Sequence, residues 1–179
     1  MFVTVWMGIL DLRNGSMTCA NAGHEYPEVR GEDGVFRMLS DKHGLPLGVM
    51  PGMKYRDYAI QLHPSDAAFI YTDGVPEANN PDGEQYGAER MQQALNRVPG
   101  FDPERLLKDV RADVDAFVRG ADQFDDLTML CVIYRGGKGV GNRNGRSCSG
   151  NREQDGTECR RLEPASFIAI KREQGTADA

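Results

Sequence analysis

An α+β fold is predicted, with antiparallel strands first and helices after them. Three observations carry the prediction. Apolar residues alternate with period two through much of the first half of the chain, interrupted by Gly- and Asn-containing turns. Helical periodicity appears only from residue 87 onward, and one further apolar run follows at 127–134. Strands followed by helices suit an α+β domain, whereas a parallel sheet would need strands and helices in alternation.

The segment 2–12 carries Val3, Val5, Met7 and Ile9 at alternate positions, the spacing of a strand. Arg13-Asn14-Gly15 then marks a tight turn, because Asn-Gly tolerates positive φ at both positions. Residues 16–22 return as the second arm of that hairpin. A second hairpin is expected from 26–30 and 35–39, turning through Gly31-Glu32-Asp33-Gly34. Leu45-Pro46-Leu47-Gly48 reads as an irregular loop. The segment 54–62 is again a strand, with Tyr55, Asp57 and Ala59 on one face and Tyr58, Ile60 and Leu62 on the other. Pro64-Ser65-Asp66 turns the chain into an apolar strand at 67–71, which delivers Asp73 at its carboxyl end. A first helix is predicted over 87–98, on the stripe Met91, Ala94, Leu95 and Val98. The second has Asp102 as N-cap, Pro103 at the first helical position and Glu104 at the positive end of the dipole. Leu106, Leu107, Val110, Val114, Phe117 and Val118 form its apolar stripe, and Gly120 ends it. The last strand is expected at 127–134. Beyond it, 135–179 is rich in Gly, Asn, Ser, Arg and Lys and has no apolar periodicity outside Phe167-Ile168-Ala169-Ile170. It is expected to form a disordered tail after a domain spanning 1–134.

At 179 residues the chain suits one domain with a sizeable core. Its net charge of −6 is unevenly distributed: residues 1–134 carry −9 and residues 135–179 carry +3. An acidic body repels phosphate backbones, which argues against nucleic acid as a partner and disfavours a nuclease. It suits a site that recruits cations. The four cysteines, Cys19, Cys131, Cys148 and Cys159, have neither C-x-x-C nor zinc spacing. Cys19 and Cys131 fall in strand-like runs and are expected to be reduced core residues of a cytoplasmic protein. No stretch approaches the ~20 apolar residues of a membrane span. The apolar 1–10 segment has no preceding basic residue, so the Ala20-Asn21-Ala22 mimic of a cleavage site is not expected to be one.

Two aspartates stand out against this background. Asp73 closes one apolar strand and Asp125 comes just before another. Strand ends are held by the sheet yet can face a cleft, and a hard cation such as Mg²⁺ or Mn²⁺ takes a few carboxylate oxygens plus water. Each motif also has a structural reading: Thr72-Asp73-Gly74 as a strand-ending turn, and Asp125-Asp126 as a cap between helix and strand.

Five motifs occur in order: Asn21-Ala22-Gly23-His24, Leu45-Pro46-Leu47-Gly48-Val49, Tyr71-Thr72-Asp73-Gly74-Val75-Pro76-Glu77-Ala78, Gln85-Tyr86-Gly87 and Asp125-Asp126-Leu127-Thr128. Over residues 1–134 the series resembles the C-terminal part of the SpoIIE/RsbU-type serine phosphatases, within the PPM metal-dependent phosphatases. The resemblance implies a partial α-β-β-α sandwich, two antiparallel sheets flanked by helices, with a centre for two Mn²⁺ or Mg²⁺ ions between the sheets. It implies Asp73 and Asp125 as metal ligands, with no catalytic residue beyond the ligands. Asp126 becomes a neighbour of the ligands; Gly74, Glu77 and Asn79 lie in the adjoining loop, which they are expected to order, with a role around the ligands or in a substrate loop as the alternative. His24 is read as loop-fixing, because the histidine near the metals in this family lies in an upstream D-G-H-G-like motif. That segment is absent here, so the chain is expected to lack the N-terminal half of the domain and two of the aspartates. The implied activity is hydrolysis of phosphoserine on a regulatory protein, typically an anti-sigma-factor antagonist, by metal-activated water. The alternative is a catalytically incompetent fragment or binding module with an incomplete metal site. A cytoplasmic location is expected, with a membrane-anchored parent and a homodimer both left open.

Overall fold

The computed structural model describes residues 2–40, 43–97, 101–121, 126–137 and the strand 165–171. Among the described residues, eight strands and two helices follow one another as β1 (Val5–Leu10), β2 (Ser16–Ala22), β3 (Glu28–Arg30), β4 (Phe36–Met38), β5 (Asp57–Gln61), β6 (Ala67–Tyr71), α1 (Gly87–Arg97), α2 (Pro103–Val118), β7 (Thr128–Tyr134) and β8 (Ala165–Lys171). They form a three-stranded sheet, β1-β2-β5, and a five-stranded sheet, β4-β3-β6-β7-β8. All pairings between named strands are antiparallel.

The layers follow from alternation along the strands. Trp6, Leu10, Met17, Cys19, Tyr58 and Ile60 of the small sheet pack against Val29, Ala68, Ile70 and Tyr134 of the large one. The opposite face of the large sheet, with Phe36, Phe69, Tyr71, Met129 and Cys131, packs against Met91 and Leu95 of α1 and Leu107 and Val110 of α2. β6 is therefore covered on both sides, which explains why its sequence is a continuous apolar run and not an alternation. The burial of Cys131 in this layer pushes its thiol up to about 12.

Most predicted elements are present, several of them shorter. Residues 54–56 precede β5, and the Tyr55 hydroxyl instead donates to the Leu45 carbonyl at 3.0 Å. The second hairpin pairs only Glu28–Arg30 with Phe36–Met38, extended by a Leu39 N–H to Pro27 carbonyl bond at 2.8 Å. Asp102 caps α2 by accepting from the Arg105 N–H. The left-handed cap at the other end falls on Arg119, φ 51°, one residue before the predicted stop at Gly120. The apolar stretch within the basic tail forms β8, paired along the whole of β7. Val98, Cys148, Cys159 and the remainder of 138–179 lie outside the described residues. Among the described residues no helix is long and apolar enough to cross a membrane.

Candidate functional site

β6 is the rigid post of the site. Its five residues are buried or nearly so, and Asp73 emerges exposed two residues beyond its end. The chain then closes into a tight turn: the Val75 N–H donates to the Thr72 carbonyl at 3.0 Å, and the Glu77 N–H to the Asp73 carbonyl at 2.9 Å. The Gly74 N–H donates to Asp73 Oδ1 at 3.0 Å, which orients one carboxylate oxygen.

Thr72 joins this turn to the start of β7. Its N–H donates to the Thr128 carbonyl at 3.1 Å. Its hydroxyl donates to the Asp126 carbonyl at 2.9 Å and accepts from the Thr128 N–H at 3.1 Å. The T-D-G motif and residues 126–128, distant in sequence, are thereby locked side by side. Asp126 is partly buried at this junction, while Asp125 lies outside the described residues.

The loop from Asp73 to Gly87 is organised by Asn80. The Asn80 side chain accepts from the Asp82 and Glu84 N–H groups at 3.0 and 2.9 Å and donates to the Glu84 carboxylate at 3.0 Å. Tyr86, 2% exposed, sends its N–H to the Ala78 carbonyl and its hydroxyl to Asp113 of α2 at 2.6 Å. Asp113 is also paired with Arg97 of α1, and Asp82 pairs with Arg119 just beyond α2. The Q-Y-G motif thus pins the loop to both helices.

The other two motifs pack against each other. Asn21, 2% exposed, accepts from the His24 N–H at 2.9 Å and donates to the His24 carbonyl at 3.0 Å. It grips His24 by its backbone, and the ring Nδ1 lies 3.4 Å from the Glu25 carbonyl. Gly23 has φ +74°, and a Cβ there would stand 2.7 Å from the Pro46 ring of the L-P-L-G loop. Only glycine fits both constraints.

Glu25 is the residue that sequence reasoning missed. Its carboxyl is held above the ordinary glutamate value by partial burial first and next by the negative charge of Asp73. His24 and His43 pull it the other way, and Glu77 adds to the rise. Glu25, Asp73 and Glu77 therefore share one electrostatic neighbourhood, assembled from the end of the N-A-G-H turn and the T-D-G loop. No local signal in the sequence marks Glu25, because the carboxylates whose charge acts on it come about fifty residues later. Among the described residues no three His, Cys, Asp or Glu side chains are grouped so as to hold a metal ion.

Comparison with known proteins agrees with this architecture. The family model described as Stage II sporulation protein E (SpoIIE) matches residues 1–135. Protein IcfG of Synechocystis sp. is 31% identical over 135 residues, which cover 75% of this chain and 21% of IcfG. The phosphatase domain of the cell fate determinant SpoIIE from Bacillus subtilis superposes with a TM-score of 0.57 at 18% identity, over 73% of this chain and 56% of that one. The RsbU and RsbW domains of Rv1364c from Mycobacterium tuberculosis superpose with a TM-score of 0.56 at 23% identity, over 72% of this chain and 35% of that one. The structural likenesses establish a shared fold, two antiparallel sheets with helices packed on them. The chain belongs to the SpoIIE family. It spans about a fifth of the length of IcfG.

Proposed function

We propose that this chain carries the T-D-G and D-D-x-T side of the active site of a PPM-type protein serine/threonine phosphatase. The substrate would be phosphoserine on a regulatory protein, in the first instance an anti-sigma-factor antagonist in the cytoplasm. The observation that carries the reading is the Thr72 junction, which sets the end of β6 and the start of β7 against each other. Membership of the SpoIIE family supports it, as does the likeness to a chain described as a phosphatase domain.

The donor set suits a hard divalent cation. Asp73 offers an exposed carboxylate, and Asp125 of the D-D-x-T motif would offer a second. Oxygen donors of this kind favour Mn²⁺ or Mg²⁺ over the softer metals that take thiolate or imidazole. Asp73 and Asp125 would hold the ions, with Asp126, Gly74, Glu77 and His24 around them. Two bound cations supply a lowered pKa for water and charge neutralisation of a phosphoryl group. The chain's own part is to fix the carboxylates. The Gly74 N–H orients Asp73, and the Asn80 and Tyr86 contacts keep the following loop in one conformation. Pre-set donors need no rearrangement when substrate arrives.

The test is Mn²⁺-dependent hydrolysis of a phosphoserine protein, with any coding sequence upstream of Met1 restored. Asp73→Ala and Asp125→Ala should each lower turnover by at least about 100-fold, more than the loss of a residue that merely supports a ligand. Undiminished turnover in both would remove the assignment. A second reading is a binding module that does not hold two ions. Under it the chain would show no saturable uptake of manganese.

A further inference from the structure

Thr72 makes more contacts across the site than the fold alone demands. β6 and β7 are already paired from Ala67–Ile133 to Tyr71–Met129. Thr72 extends that ladder by its own N–H to the Thr128 carbonyl and then adds its side chain as a second rung. The hydroxyl works in both directions at once, donating to the Asp126 carbonyl at 2.9 Å and accepting from the Thr128 N–H at 3.1 Å. A hydroxyl can do this because it has one donor and two acceptor lone pairs. Valine has the same shape and neither function. Leu127, between the two contacts, is 3% exposed and packs in the helix-side core, so the held segment is also anchored from below.

We propose that Thr72 is the positioning residue of the site: its hydroxyl fixes Asp73, the next residue in the chain, against the segment that opens β7. The inference rests on the phosphatase reading for its consequence, but its geometry is independent of it. Residues that orient metal ligands act through rigidity, and their loss costs about 10- to 100-fold in metal affinity. Backbone bonds alone would leave the last residue of a strand free to fray. The side-chain bridge prevents this at the residue that precedes the carboxylate.

The experiment uses the full chain in four forms: wild type, Thr72→Val, Thr72→Ser and Leu95→Ala. Leu95 lies in the core of α1, so its truncation lowers stability away from the site. Two quantities are read: amide hydrogen exchange at residues 72–74 and 126–128, and Mn²⁺ affinity by calorimetry. Thr72→Val should speed exchange of the Thr128 amide at least about 10-fold and weaken Mn²⁺ binding by about 10- to 100-fold. Thr72→Ser should restore both, and Leu95→Ala should leave Mn²⁺ affinity unchanged despite a lower melting temperature. If wild type binds manganese and Thr72→Val binds it equally well, the proposal is overturned. If wild type takes up no manganese, the phosphatase reading fails for this chain and exchange decides alone. Faster exchange confined to the two segments then upholds the positioning role, and wild-type exchange in Thr72→Val overturns it. A Thr72→Val chain that does not fold is replaced by Thr72→Ala under the same two criteria.

Discussion

Glu28 sits where a charge is costly. It is 0% exposed in β3, one carboxylate oxygen accepts from Gln92 of α1 at 3.3 Å, and the other has no hydrogen-bond partner among the described residues. Burial raises its pKa above the ordinary 4.5. Below about pH 4.5 folded and unfolded chains both keep this proton. At higher pH the unfolded chain ionises first, so this contribution to stability is lost as pH rises through the folded pKa. Glu28→Gln, which cannot ionise, should therefore gain melting temperature relative to wild type between pH 4.5 and pH 7. Thermal melts at the two values check this, and an unchanged difference would show that Glu28 is not buried as an acid. The sequence did not announce it: a glutamate in a short strand reads as solvent-facing until α1 covers that face. Gly15 shows the opposite balance. Asn14-Gly15 was legible as a turn, and the observed φ of +78° agrees. What was not legible is that a Cβ there would lie 2.1 Å from the Leu62 carbonyl, an approach made by the residue directly after β5.

At the scale of elements, the helices were the most readable part of the chain. Cap, proline and stripe all pointed to α2, and Asp102 accepts from Arg105 as expected of an N-cap. Its stability comes from the buried stripe. Leu107 is 0% exposed against the large sheet, and Leu107→Ala should cost about 2–5 kcal/mol in chemical denaturation. The exposed pair Lys108–Glu104 on the same helix should give no measurable loss when Lys108 is replaced by alanine. Comparable effects from the two substitutions would mean that α2 is not docked through this stripe. The loop between β6 and α1 was harder to read. Its motifs Gln85-Tyr86-Gly87 and Thr72-Asp73-Gly74 stand out, but the tie from Tyr86 to Asp113 depends on α2, which follows later in the chain.

For the molecule as a whole, period-two and helical patterning recovered the α+β class and the order of elements, because each depends only on neighbours in sequence. The partition into two sheets was not readable that way. β2 and β3 are consecutive yet lie in different sheets, and β5 joins the first sheet while β6 joins the second. The resemblance to the phosphatase family, not periodicity, anticipated the two-sheet arrangement. The candidate site was legible in part. Asp73 is where a strand-end carboxylate was expected, whereas its influence on the Glu25 carboxyl was visible only in three dimensions. The central claim is that the end of β6 and the start of β7, joined by Thr72, form one cation-binding centre with Asp73. Calorimetric titration of the full chain with Mn²⁺, wild type beside Asp73→Asn, tests it most directly. The account predicts saturable binding to wild type and at least about 100-fold weaker binding to Asp73→Asn. Identical isotherms for the two proteins, or no saturable binding to either, would contradict it.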